Sequence, residues 1–478
     1  MSSGGGNALA SGNNGPMPLT AETFASPSAR SVVRSTHERL RATLRRDGEA
    51  LSPRVLRRLL QELRGVVDPR ASEVEGGRRA SLLAQWYVGA PAAQRHDMWL
   101  LMSEQFVADA RMVKAAHERF AAAVGTPDEA AAEVTYRRAT VSPRRRLLQR
   151  FSAYSGGIAF LVNLRAEMQP ALKTDRRLMA LDVEMEYMFS TWFDVGFLDL
   201  RRISWDSPAS LIEKLIRYEA VHDIKSWADM KNRLDSDRRC YGFFHPRLPD
   251  EPLIFVEVAL ADGLAPSITP LLDESADVVD LKKATTAIFY SISSTQSGLR
   301  GVSFGDSLIK RVAETLKTEF PKLRVFATLS PMPGFRAWLG KNFATMFARL
   351  DRRRRVELGQ ELGDPELSAS ALISAAESAM QGDAQPALRR FVLHCAAHYL
   401  TEEWVDRKPL DPVARFHLCN GARVERLNWA GDPSPKGIRQ SLGLMVNYLY
   451  DLTRLDRHRS LLEHGKVALS SEIRALLS

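Results

Sequence analysis

Apolar residues recur at three- and four-residue steps through the first third of the chain. Leu40 and Leu44, then Val55, Leu56, Leu59, Leu60 and Leu63, mark one face of successive helices. Ser52-Pro53 reads as a helix start, with the serine as cap and the proline in the first turn. Gly76-Gly77 and Pro143 read as breakers. Segments 145–151 and 178–193 keep the same period. The pattern predicts an all-α helical domain over 35–193 and no strand within it.

The period changes near residue 194. Segments 241–245, 253–259 and 286–293 are rich in β-branched or aromatic residues and predict strands. Segment 306–320 predicts an amphipathic helix with Leu308, Ile309, Val312, Leu316 and Phe320 on one face. Another strand is expected over 324–329 and a return to helix over 340–408. Phe416 to Leu418, then Asn420-Gly421, then 422–427 predict a hairpin, because Asn-Gly is a strong two-residue turn. Residues 194–478 thus read as an α/β (α+β) domain. Residues 1–34, rich in Gly, Ser, Asn and Pro, read as a disordered tail.

Between Thr286 and Leu329 the order is strand, glycine-bearing loop, helix, strand. That length suits a parallel crossover. The loop then leaves the carboxyl end of the first strand, and Ser330 leaves that of the second. Both ends lie at one edge of the sheet, so Ser330 and the Gly298, Gly301 and Gly305 loop should line one crevice. The loop also feeds a helix N-terminus, where free amides and the helix dipole favour an anion, and Arg300 adds a positive charge. A phosphate cradle is one reading; a glycine-rich connection without ligand is the other. Walker and dinucleotide spacings are both missing.

Composition narrows the classes. Of 478 residues, 45% are apolar and 26% charged, which excludes a disordered, collagenous or disulfide-stapled chain. No apolar run reaches the length of a membrane span. Lys plus Arg exceeds Asp plus Glu by 66 − 57 = 9, a weak pull toward anionic partners. Arg144–Arg146 and Arg352–Arg355 read as solvated helix faces, and no nucleic-acid partner is expected. Cys240, Cys395 and Cys419 lack disulfide or metal spacing, and the first 29 residues hold no Lys or Arg; a cytoplasmic location is expected. His394 and His398 stand four apart, but their flanks are apolar, so they read as packing residues and no metal site is expected. From pattern alone His245 and His417 also read as structural, although an imidazole can donate a proton.

Several runs nevertheless resemble one family in the same order. They are Glu219-Ala-Val-His222, Arg238-Arg-Cys-Tyr241, Tyr290-Ser-Ile-Ser-Ser-Thr-Gln296, Gly298-Leu-Arg-Gly-Val302, Leu329-Ser-Pro-Met-Pro-Gly-Phe335, Asp411-Pro-Val413, Phe416-His-Leu418 and Asn447-Tyr448. Over about residues 35–460 the chain resembles the malonyl-CoA decarboxylases. The resemblance implies a helical domain used in self-association, giving a homo-oligomer, dimer or tetramer. It implies a catalytic domain with the acetyltransferase-superfamily (GNAT) fold. Malonyl-CoA is then the substrate, acetyl-CoA and CO₂ the products, and no cofactor is required. The family's serine and histidine map onto Ser330 and His417. Its CoA-binding stretch maps onto Arg300, Gly301, Val302, Ser303, Phe304, Gly305 and Asp306. The chain departs from the family at Ser303, where an acidic residue is common, and at Ala209, where some members carry a disulfide-forming cysteine. An acyl-CoA-dependent N-acyltransferase on the same fold is the alternative.

Overall fold

The computed structural model describes residues 34–302, 308–364, 366–380 and 385–478. The expected tail lies outside the described residues except for Arg34, whose Nε donates to Glu49 at 2.8 Å. From Thr36 to Trp192 the chain is helical: α1 (Thr36–Arg41), α2 (Pro53–Val66), α3 (Glu73–Gly89), α4 (Ala92–Glu104), α5 (Ala110–Ala123), α6 (Glu129–Thr140), α7 (Pro143–Ala153), α8 (Gly157–Met168) and α9 (Met179–Trp192). The Ser-Pro signal works as expected. Ser52 accepts the Val55 amide, Pro53 opens the helix, and Leu56, Leu59, Leu60 and Leu63 are buried.

Three expectations in this region fail. Leu44 lies beyond the end of α1 and is exposed, not part of a helical face. Gly76 and Gly77 break nothing; they lie inside α3 and are buried. A Cβ on Gly76 would stand 2.9 Å from the Arg150 Cδ of α7, so the glycines serve close helix approach. Arg144 is not solvated either. It is buried, and its guanidinium donates to the Met102, Ser103 and Ala180 carbonyls. Those carbonyls belong to other segments, and the local charge pattern holds no trace of them.

The rest is a mixed sheet with helices. Its strands are β1 (Asp199–Ile203), β2 (Arg238–His245), β3 (Leu248–Ala261), β4 (Thr286–Ser294), β5 (Val325–Thr328), β6 (Ser330–Pro331), β7 (Arg423–Asn428) and β8 (Met445–Leu449). The order is β1-β2-β3-β4-β5-β8-β6, with β7 also pairing with β8. Helices α10 (Ala209–Tyr218) and α11 (Trp227–Arg233) link β1 to β2, and α12 (Leu308–Glu319) links β4 to β5. β4 and β5 pair in parallel, Thr286 with Val325 through Phe289 with Thr328, as the crossover predicted. The other pairings are antiparallel.

The predicted hairpin at 416–427 is not formed. Residues Pro412–Cys419 make helix α13, capped by Asp411, whose carboxylate accepts the Val413 and Ala414 amides. Asn420-Gly421 ends that helix, with Gly421 at φ +83°, and β7 pairs with β8. Asn-Gly suits a helix stop as well as a hairpin, and Asp-Pro upstream decides for the helix. One apolar cluster runs from Leu51 in the helical region to Ile473 near the C-terminus, so the helices and the sheet share a core. Among the described residues no helix is long and apolar enough to cross a membrane.

Candidate active site

The sheet parts at one point, and the cavity begins there. Beyond Phe289 and Thr328 the parallel ladder stops: β4 continues only along β3, while Ser330 and Pro331 pair with β8. The β3–β4 register also slips between Glu257 and Val258, which leaves Tyr290 as an extra residue on β4. The gap opens into a cavity of about 910 Å³. Ser291 of β4, Arg300 and Gly301 of the loop, Ser330, and Phe416 and His417 of α13 are among its lining residues. Ser330 and Gly301 thus share the predicted crevice, whereas Gly298 is not among its lining residues and is seated against the Val162 carbonyl of α8 instead. Of the stretch 300–306, Arg300, Gly301 and Val302 line it, with Arg300 exposed and Gly301 at φ +84°. Ser303, Phe304, Gly305 and Asp306 lie outside the described residues.

Two residues 87 positions apart meet in this cavity. The Ser330 hydroxyl lies 3.2 Å from His417 Nε2 and 2.9 Å from the Thr328 hydroxyl. Nδ1 of His417 lies 2.8 Å from the Tyr450 hydroxyl. The Tyr448 ring stacks on the imidazole at 4.6 Å, and Phe416 meets it edge-on. One proton arrangement satisfies the chain: Tyr450 O–H donates to Nδ1, Nε2–H to Ser330, and Ser330 O–H to Thr328. Both His417 and Ser330 are buried. Burial drives the imidazole pKa down to about 3, so it is neutral at ordinary pH, and burial raises the Tyr450 phenol well above 10, so it keeps its proton. In that arrangement a neutral imidazole carries its proton on Nε2 and lines the cavity.

The site also contains residues that sequence reasoning passes over. Tyr450 and Thr328 carry no signal of a role, although Tyr448 and Tyr450 alternate along the chain beside the site. Asp411 stands out in the sequence only as part of a motif. It is fully buried, and besides capping α13 it accepts a hydrogen bond from Tyr399 at 3.1 Å, which fixes the helix that carries His417. Behind β4, Glu219 accepts both the Ser291 and the Ser293 hydroxyl at 2.8 and 3.1 Å. Below that, the fully buried Glu257 receives Arg233 Nη1 at 3.0 Å, and Arg233 also grips Asp229 at 2.7 Å. Burial pushes the Glu257 carboxyl up to about 8 against the pull of Arg233.

His394, His398 and His245 do not line the cavity. His394 bonds the Leu476 carbonyl at 2.6 Å, His398 lies 3.4 Å from Glu403, and His245 packs edge-on to Phe193. Among the described residues no three His, Cys, Asp or Glu side chains group as a metal site would require.

Residues 196–478 match the family model for the malonyl-CoA decarboxylase C-terminal domain, and residues 106–193 match that for its N-terminal domain. The mitochondrial malonyl-CoA decarboxylase of Anser anser anser is 38% identical over 330 residues, 65% of this chain and 65% of that protein. That of Rattus norvegicus is 39% identical over 335 residues, 67% of this chain and 68% of that protein. The chain therefore spans about two thirds of the length of these relatives, just under that share for the goose protein. The crystal structure of malonyl-CoA decarboxylase from Rhodopseudomonas palustris superposes with a TM-score of 0.75 at 41% identity, covering 88% of this chain and 99% of that one. The structure from Cupriavidus metallidurans gives 0.72 at 41% identity, over 89% and 100%.

Proposed function

The chain belongs to the malonyl-CoA decarboxylase family, and from that premise we propose that it converts malonyl-CoA to acetyl-CoA and CO₂ with Ser330 and His417 as the reacting pair. The observation that carries this reading is the buried Ser330–His417–Tyr450 chain at the wall of a cavity whose lip holds Arg300. Loss of the terminal carboxylate as CO₂ sends its electron pair into the thioester, which becomes an enolate. The thioester carbonyl is itself the electron sink, so the reaction as read here calls for no cofactor. The protein must hold the carboxylate out of the thioester plane, stabilise the oxyanion and return a proton to carbon. Ser330 and the Nε2–H of His417 are the donors on hand. The His417 Nε2 proton passes to the enolate α-carbon as the Tyr450 hydroxyl proton moves to Nδ1, and a proton taken up from water through the cavity returns both groups to their starting state, so one proton is consumed per CO₂ released. A thioester enolate is basic enough to take a proton from a neutral imidazole, so the depressed pKa is no obstacle.

The loop through Arg300, Gly301 and Val302 is read as the cradle of the CoA pyrophosphate, and the sheet parted beside a bulge supports the acetyltransferase-superfamily (GNAT) fold. Arg300→Ala should raise KM roughly tenfold with little change in kcat, the value of one charge-assisted contact. An unchanged KM places the pyrophosphate elsewhere. Self-association through the helices is part of the same reading. α5 and α6 pack mainly on each other, bury only Ala116, Ala123 and Ala132, and leave Met112 and Val134 exposed. A cytoplasmic location completes it, with three unpaired thiols in support.

The direct test incubates the purified protein with malonyl-CoA and measures CO₂ and acetyl-CoA. Equal amounts of both are expected. Release of free CoA only when an amine is supplied, without CO₂, would identify an N-acyltransferase instead.

A further inference from the structure

The substrate loop is held from outside the sheet. Arg165, on α8, has 1% of its surface exposed. Its Nη1 donates to two carbonyls of the loop, Gly298 and Arg300, each at 2.9 Å. Its other face is tied to α9, with Asp182 at 2.8 Å and Glu186 at 3.4 Å. The same contact explains Gly298. A Cβ there would fall 1.9 Å from the Val162 carbonyl of α8, so no other residue lets the loop approach the helix this closely. Glu186 is also a neighbour of the loop: its carboxylate lies 3.7 Å from where a Gly301 Cβ would stand. A carboxylate beside a phosphate cradle is unfavourable unless a cation answers it, and Arg165 does so.

We infer that Arg165 is a positioning residue for substrate binding, fixing the Gly298–Arg300 backbone and neutralising Asp182 and Glu186 beside it. The inference rests on the CoA reading of the loop. A fork reaching two carbonyls and two carboxylates needs the planar guanidinium, and a lysine offers only a single ammonium. Arg165 does not touch the reacting atoms, so its effect falls on binding and not on the chemical step.

The test compares wild type with Arg165→Lys, Arg165→Met and Gly298→Ala, reading kcat and KM for malonyl-CoA and the Kd of free CoA. Circular dichroism checks that each variant is folded. Arg165→Lys and Gly298→Ala should raise KM and Kd together by roughly tenfold, with kcat within about twofold of wild type. Arg165→Met should weaken CoA further, most at low salt, where the uncompensated carboxylates repel the phosphates best. Glu186→Gln in that background should recover part of the loss, which a merely structural defect would not show. If Arg165→Met fails to fold, the lysine and glycine variants carry the same measurement. Folded variants with unchanged KM and Kd, or with kcat reduced in place of KM, overturn the inference. Because Kd needs no turnover, a wild type that binds CoA but releases no CO₂ counts against the decarboxylase reading alone.

Discussion

His417→Asn should lower kcat by roughly 10²–10³-fold while leaving KM for malonyl-CoA almost unchanged, and Ser330→Ala should do nearly the same. Each substitution removes a donor at the cavity wall that turns from its partner in the resting chain to the substrate, and such donors typically contribute about 3–4 kcal/mol to the barrier. The pair acts as one unit, since Nε2 and the Ser330 hydroxyl are 3.2 Å apart, so the double variant should be hardly worse than either single one. Tyr450→Phe removes only the resupply at Nδ1 and should cost less. The pH profile gives a second readout. kcat/KM reports the free enzyme, in which burial holds the imidazole to about 3. Above that value it is neutral, so no acidic limb belonging to His417 should appear near its ordinary 6.5; protonation removes activity only as pH falls toward 3. A wild-type limb near 6.5 that vanishes in His417→Asn would refute the neutral-imidazole reading. Single variants with wild-type kcat would remove the pair from the chemistry altogether.

Arg233→Met should destabilise the fold by about 3–5 kcal/mol, the usual consequence of removing one partner from a buried ion pair. Arg233 and Glu257 are 1% and 0% exposed at the side chain, and Asp229 is 7% exposed, so water cannot replace the lost guanidinium. Glu257→Gln in the same background should restore part of the stability, because burial already favours the uncharged carboxyl. Urea unfolding measures this as a lower midpoint at constant slope. A shift of less than about 1 kcal/mol would mean that the site repacks without its cation.

What can be read from sequence divides by the range of the contacts involved. The helical face of α2 and its Ser52-Pro53 start are written in adjacent residues and are legible there. So is the β4–β5 crossover, because its length and glycine loop lie on one stretch of chain. Gly76-Gly77 and Arg144 mislead because what they touch, Arg150 in one case and three backbone carbonyls in the other, comes from elsewhere in the chain. The hairpin at Asn420-Gly421 fails differently: the turn signal is real, but it ends a helix. β1 escapes notice because Asp199, Arg201 and Arg202 leave it mostly charged and exposed. Ser330 and His417 stand out through resemblance, since no local pattern separates His417 from a packing histidine. Tyr450 is missed for the same reason, as its meaning lies in an atom 33 residues away.

The close seat of Gly298 on α8 also bears on how the protein can be divided. The chain changes character near residue 194, and a chain cut there would look like a natural fragment. Such a truncation would keep Ser330 and His417 and discard Val162, Arg165, Asp182 and Glu186. It would carry Ser330 and His417 beside a loop with no floor beneath it. The piece that holds Ser330 and His417 and the piece that holds the whole loop in place are therefore different pieces, and a boundary legible in sequence need not be a place to cut.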